Sequence, residues 1–264
     1  MRLGCGFIKN VVNVSRNMVL APKHQLYRYQ ILPQEVNLRE KLRLVALESY
    51  LLNVAGFAAQ ENGFGSMGMI ERGVTWVLSR LGVEMTSLPN QYEWISIETW
   101  VQDYGRIATV RNFIIRDSEE RVIGYAMSQW ALIDINTRRP VDLRNYPEFT
   151  VFATGETVPI TPPARVPILD DIPVVGEHKV VYSDIDFNGH TNSMKYIEWM
   201  LDTIEPEYHY AHQVRRFDVN YVHEITQGQT AVLLRAEHEG SMVFEVSNGE
   251  TVACRAMVHW LENE

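Results

Sequence analysis

Asp186, Asn188 and His190 place a carboxylate, an amide and an imidazole at alternate positions of the chain. At this spacing all three fall on one side of an extended or turning backbone. They lie in Tyr182-Ser183-Asp184-Ile185-Asp186-Phe187-Asn188-Gly189-His190-Thr191-Asn192, where an extended segment runs into an amphipathic helix. The helix N-terminus offers free N–H donors and the positive end of a dipole, which suits a carbonyl oxygen that must become an oxyanion. The same residue types also form ordinary turns before a Thr-Asn helix cap, so residue type alone leaves a structural turn and a site both open. Met194, Ile197, Leu201 and Ile204 form a helical apolar stripe that anchors the turn on a core. A rigidly held polar turn is the better platform for chemistry.

The elements that must position this turn occur twice. In the first half, residues 27–32 read as extended and residues 38–60 as a long helix ended by Asn62-Gly63-Phe64-Gly65. Strand patterns follow at 75–85, 93–104, 108–117 and 122–134, with Ser118-Glu119-Glu120 as a hairpin turn. The second half repeats the order: 178–183 extended, 192–204 helical, then strands at 215–223, 230–238, 242–247 and 251–262, with Asn248-Gly249 as a hairpin signal. Ala126-Met127-Ser128-Gln129-Trp130 and Ala256-Met257-Val258-His259-Trp260 occupy the same place in the last strand of each half, which favours duplication. Residues 141–176 form a proline-rich linker; residues 140–176 hold seven of the eleven prolines. The expected organisation is an extension at 1–22, one unit at 23–140, the linker, and a second unit at 177–264. The expected class is α+β: a double hotdog, each unit a long helix wrapped by an antiparallel sheet. The two sheets would join back to back or edge to edge, with a cavity between sheet and helix.

Composition sets outer bounds. With 264 residues, 46% hydrophobic and 22% charged, the chain has an ordinary globular make-up. A formal charge of −9 argues against a general nucleic-acid binder. The two cysteines, Cys5 and Cys254, imply neither a disulfide framework nor a metal cluster, and Cys254 reads as a small core residue. A reducing cytoplasm is the expected compartment. The sequence contains neither an apolar run long enough to span a membrane nor an uninterrupted signal core, and Met18 is a plausible alternative start, which makes residues 1–22 dispensable. No metal is expected, because His209, His212 and His259 lack ligand-like spacing with acids or thiols, and no cofactor is implied.

With these motifs in view, the sequence resembles the acyl-acyl carrier protein thioesterases over residues 25–262. In the first half the resemblance is carried by Asn62-Gly63-Phe64-Gly65, Trp76-Val77-Leu78-Ser79-Arg80, Glu98-Thr99-Trp100-Val101, Arg111-Asn112-Phe113-Ile114-Ile115-Arg116-Asp117 and Thr137-Arg138-Arg139. In the second it runs from Asp184 to Ile197 and continues in Tyr221-Val222-His223-Glu224. The resemblance implies a double hotdog that hydrolyses fatty acyl-acyl carrier protein, with Asp186, Asn188, His190 and Glu224 as the catalytic set. Plant members follow the glutamate with a cysteine; here that position is Ile225, so water attack or a carboxylate route replaces a thiolate.

Residue chemistry agrees. Helix N-terminal amides with Asn188 or His190 would hold the oxyanion, Glu224 or His190 would act as base, and Asp186 would orient a neighbour or fix the His190 tautomer. His223 is set aside because strand alternation turns it away from Glu224. Arg138-Arg139, Arg215-Arg216 and the Arg39, Lys41, Arg43 cluster are landing places for an acidic carrier. Met67, Met69, Trp76 and Trp94 are expected to set cavity depth. A homodimer is compatible with the sequence. The alternatives are an acyl-CoA thioesterase, an enoyl-thioester hydratase whose signature carries one more residue before the histidine, and a non-catalytic acyl-thioester binding protein.

Overall fold

A computed structural model describes residues 23–263. The extension at 1–22, with Met18 and Cys5, lies outside the described residues. The first half contains β1 (Gln25–Gln30), α1 (Leu44–Glu61), α2 (Ser66–Glu71), β2 (Val74–Met85), β3 (Trp94–Tyr104), β4 (Thr109–Arg116) and β5 (Val122–Asp134). The second contains β6 (Val174–Lys179), α3 (Ser193–Asp202), α4 (Pro206–Ala211), β7 (His212–Tyr221), β8 (Thr230–His238), β9 (Ser241–Ser247) and β10 (Val252–Glu262).

All strands join one ten-stranded sheet in the order β1-β3-β4-β5-β2-β7-β10-β9-β8-β6. The halves therefore meet edge to edge, through antiparallel pairing of Arg80–Glu84 in β2 with Asn220–Arg216 in β7. Read inward from either edge, the strands come in the same relative order, as a duplicated unit requires. The repeated pentapeptide has a packing reason. Ala126 lies between Phe113 and Val83, and Ala256 lies between Phe244 and Val219. All six are buried, so a small residue makes room for a phenylalanine on the neighbouring strand in both halves.

Two local readings shift. The first helix starts at Leu44, not residue 38, because the Asn37 side chain accepts the amides of Arg39 and Lys41 at 2.9 and 3.1 Å and holds a turn in place of the helix. The strand expected at 178–183 ends at Lys179. Residues Tyr182–Asp184 form a 3-10 turn, where Asp184 accepts the Val181 amide at 2.9 Å and contacts His178 Nε2 at 2.8 Å. The proline-rich segment also packs. Phe149 and Phe152 enter a core with Phe64 and Met69, and the amides of Ala164 and Val166 donate to Asp218 and Asn220.

Helix α1 buries Leu44, Leu47, Leu51, Val54, Ala55 and Ala58, an apolar face at helical spacing. In α3 the buried residues are Tyr196, Ile197, Trp199 and Met200; of the expected stripe, Ile197 and Ile204 are buried and Met194 and Leu201 half-buried. Glu48 shares the buried face of α1 at 1% exposure, accepting the Tyr221 hydroxyl at 2.7 Å. Burial pushes its carboxyl from 4.5 up to about 7. The folded state thus binds a proton that the unfolded chain has lost, so stability falls as pH rises through that window. Glu48→Gln keeps an acceptor for Tyr221, and above pH 7 it should be more stable than wild type by on the order of 3 kcal/mol. The difference should vanish below the unfolded-state value of 4.5. Urea unfolding across this range measures it.

Candidate active site

The turn bearing Asp186, Asn188 and His190 is built by its own side chains. Ile185 and Thr191 pair across it, the Asp186 amide donates to the His190 carbonyl at 2.9 Å, and Gly189 takes φ 81°, a left-handed position that glycine adopts without strain. Asp186 Oδ1 accepts the amides of Asn188 (2.8 Å) and His190 (3.4 Å), while Oδ2 accepts Asn188 Nδ2 at 3.3 Å. This carboxylate orients Asn188 and shapes the loop; it makes no hydrogen bond to the His190 ring. Asn192 caps α3 by accepting the Met194 amide at 3.1 Å.

Glu224 reaches the turn through tertiary stitching. The Thr191 amide and hydroxyl both donate to the Ile225 carbonyl, at 3.0 and 2.8 Å, and the Ile225 amide donates to the Tyr196 hydroxyl at 3.0 Å. These bonds tie the segment after β7 to α3 and to the turn. In consequence Glu224 Oε2 lies 3.2 Å from His190 Nε2. The other carboxylate oxygen pairs with Arg138 from the opposite half of the chain. Arg138 sits in a turn after β5 with φ 58°, its amide donating to the Asp134 carbonyl and Asp134 Oδ1 accepting the amides of Asn136 and Thr137. Its charge placed Arg138 among the expected carrier contacts. Its role beside Glu224 had no local signal, since the two are joined only across the sheet.

These groups border one cavity of about 680 Å³. Asp186, Asn188, His190, Glu224 and Arg138 form its polar end, while Leu52, Trp76, Leu78, Trp130 and Met194 supply apolar wall. It is shared by α1, β2, β5 and the turn before α3, so it belongs to neither half alone. Of the four residues expected to set its depth, only Trp76 borders it; Met67 and Trp94 are exposed, and Met69 is buried in the core with Phe64. His223 borders the cavity too. Strand β7 ends at Tyr221, so alternation no longer governs residues 222–224.

The duplication supplies an internal comparison. In the first half, Asn37 to Lys41 repeats the turn geometry of Asp186 to His190: the Asn37 amide donates to the Lys41 carbonyl at 2.8 Å, and Glu40 takes the left-handed φ of 58°. Tyr29 stacks on Tyr50 at 4.4 Å and 28°, as His178 stacks on Trp199 at 4.4 Å and 28°. The Leu42 amide donates to Pro89 as that of Thr191 donates to Ile225, which puts Leu88 where Glu224 stands. The first loop thus offers Arg39, Lys41 and Leu88 where the second offers Asn188, His190 and Glu224. Only the second pairs an imidazole with a carboxylate.

Other expected roles change. Arg215 is held by Glu84 and the Met85 carbonyl, and Arg216 by Asp218 and the Thr161 and Pro162 carbonyls, so neither is a free landing place. Cys254 is fully buried and burial pushes its thiol up, which suits a core residue. Among the described residues no group of three or more His, Cys, Asp or Glu side chains is arranged to hold a metal ion, and no helix is long and apolar enough to cross a membrane.

Family models describe the chain in two parts: the acyl-ACP thioesterase N-terminal domain matches residues 23–149, and the C-terminal domain of the same family matches residues 171–262. The chloroplastic oleoyl-acyl carrier protein thioesterase of Coriandrum sativum is 29% identical over 72% of this chain and 56% of its own length. Oleoyl-acyl carrier protein thioesterase 2 of Arabidopsis thaliana is 28% identical over 84% of this chain and 66% of its own length. The chain thus spans somewhat less than two thirds of these curated relatives. Among solved structures, an acyl-ACP thioesterase from Bacteroides thetaiotaomicron is 37% identical, with a TM-score of 0.83 over 90% of this chain and 98% of that one. The 12:0-ACP thioesterase from Umbellularia californica, at 20% identity, shares the fold with a TM-score of 0.82 over 92% of this chain and 99% of its own.

Proposed function

The chain belongs to the acyl-ACP thioesterase family, and from that premise we propose that it hydrolyses fatty acyl-acyl carrier protein to release a free fatty acid. The observation that carries this reading is the 3.2 Å approach of His190 Nε2 to Glu224 Oε2 at the border of a cavity that also has Leu52, Trp76, Leu78, Trp130 and Met194 in its wall. In the reaction we assign, an acyl chain lies along Trp76, Leu78 and Trp130, with its thioester carbonyl beside the turn. Glu224, held between Arg138 and His190, takes a proton from water as its oxygen attacks the carbonyl. Asn188, aimed by Asp186, donates its amide to the developing oxyanion. Collapse of the intermediate breaks the C–S bond. The thiolate leaves with little need for acid assistance and regains a proton from the His190 and Glu224 pair. Both orienting contacts reduce the freedom of groups that must be in place when charge develops.

An acidic carrier needs a cationic approach on a chain whose own formal charge is −9. With Arg138, Arg215 and Arg216 engaged internally, Arg39, Lys41 and the exposed Arg139 are the cations we assign to it; among the described residues they form no ion pair. Turnover of the carrier thioester should fall with salt far more than turnover of a short soluble thioester, because steering is screened beyond about 10 Å at 0.1 M. Equal salt sensitivity removes the electrostatic argument. The decisive assay is release of free thiol and fatty acid from a saturated acyl-acyl carrier protein. A hydratase cannot use that substrate, and a binding module leaves it intact. Comparison with the acyl-CoA of the same chain ranks the two donors. We place the protein in a reducing cytoplasm on the strength of its buried thiol, although the two plant relatives described above are named chloroplastic. A homodimer would use the outer strand β1 or β6, which sedimentation tests.

A further inference from the structure

A second cavity of about 160 Å³ lies between α1 and the sheet of the first half, and Leu52, Ser66, Trp76 and Trp130 line both it and the larger cavity. Its wall is mostly apolar, with Ala55, Ala59, Phe64 and Val101, yet Arg111 also lines it at 4% exposure. The sheet register explains the placement. Arg111 in β4 sits opposite Val101 in β3 and Ser128 in β5, on the face that α1 covers. Among the described residues its guanidinium makes one hydrogen bond, to Thr99 Oγ1 at 3.3 Å, and no carboxylate lies within 4.0 Å. Burial pushes it down to about 10, against smaller opposing effects of Tyr104 and Tyr27. Tyr104 borders the same cavity, and among the described residues its buried hydroxyl has no hydrogen-bond partner.

A guanidinium only donates, and a buried cation without a counter-ion is costly. Both Arg111 and Tyr104 therefore carry donors that are left unused among the described residues. We propose that this cavity is a subsite for an oxygen acceptor, carboxylate or hydroxyl, on the far end of the acyl chain, with Arg111 and Tyr104 as its ligands. The proposal rests on the thioesterase reading for the substrate that would bring such an oxygen there. A plain hydrocarbon end offers these groups nothing, whereas a site built to hydrogen-bond a substrate oxygen discriminates strongly against the analogue that lacks it.

The test compares kcat/KM for acyl thioesters of equal length carrying an ω-carboxylate, an ω-hydroxyl or no substituent, over a series of chain lengths. At the best length the carboxylate should exceed the hydroxyl and the hydroxyl the plain chain, with the extremes separated by about tenfold or more. Arg111→Met should bring the oxygenated substrates down to the plain one and leave the plain one within about threefold. A preference for the plain chain at every length, or an equal loss on all three in Arg111→Met, overturns the proposal. Should Arg111→Met not fold, Tyr104→Phe removes only an unpartnered hydroxyl and should weaken the oxygenated substrates alone; an equal effect on all three again overturns it. Calorimetric binding of the free ω-hydroxy and ω-carboxy acids against the parent fatty acid needs no turnover. If no thioester is hydrolysed but the oxygenated acids still bind more tightly, the thioesterase reading fails and the subsite stands; equal binding of all three acids removes the subsite.

Discussion

Replacing Glu224 with glutamine should lower acyl-thioester hydrolysis by at least about 10²-fold while the acyl thioester still binds. Glutamine has the same size and leaves an acceptor for Arg138, so the stitching of Thr191 and Tyr196 to Ile225 is untouched. What is lost is the carboxylate, held between Arg138 and His190, to which we assign the proton of the attacking water. The loss should therefore fall on kcat, with binding of a non-hydrolysable acyl thioester nearly unchanged. Cys254→Ala is the control. The thiol is fully buried and Ile225 fills the position next to Glu224, so turnover should stay close to wild type. Near-full activity in Glu224→Gln, with activity abolished in a folded Cys254→Ala, would sink the water mechanism and require a thiol route.

His190→Ala should cost about 10²–10⁴-fold, the usual range for removing a proton-transfer group. The structure adds a sharper expectation about coupling. His190 Nε2 and Glu224 Oε2 are 3.2 Å apart, so each holds the other in position. Residues that act as a unit are strongly non-additive. The double variant His190→Ala, Glu224→Gln should be no slower than the worse single variant by more than about tenfold, measured as kcat in single-turnover experiments. Losses that multiply in full would show two independent contributions and break the assignment of one coupled pair. The symmetry-related loop provides the contrast: Lys41→Ala alters the position matching His190, yet it should leave turnover of a short soluble thioester unchanged, because Leu88 stands there in place of the carboxylate.

The sequence by itself determined what depends on neighbours a few residues away. Period-two and helical patterns located nine of the strands closely, and the repeated pentapeptide identified the duplication because an alanine beside a phenylalanine on the next strand is the same packing solution twice. The turn at Asp186 to His190 was equally legible, since every bond that shapes it joins residues within the turn itself. Boundaries slipped where a side chain competed with the helix for backbone amides, as at Asn37.

Tertiary structure alone decided which groups meet. Glu224 reaches His190 only because Thr191 and Tyr196 bind the Ile225 backbone, and Arg138 reaches Glu224 only because β2 and β7 join the two halves edge to edge. The same pairing brought Glu84 to Arg215 and Arg216, while Asp218 holds Arg216 from two residues along the same strand. Strand order likewise put Arg111 on a face beneath α1 that its own alternation could not distinguish from the opposite one. Periodicity shows that a strand has two faces. Which face is covered, and what the covering element brings to it, depends on contacts between residues far apart in the chain, and the local pattern carries no record of them.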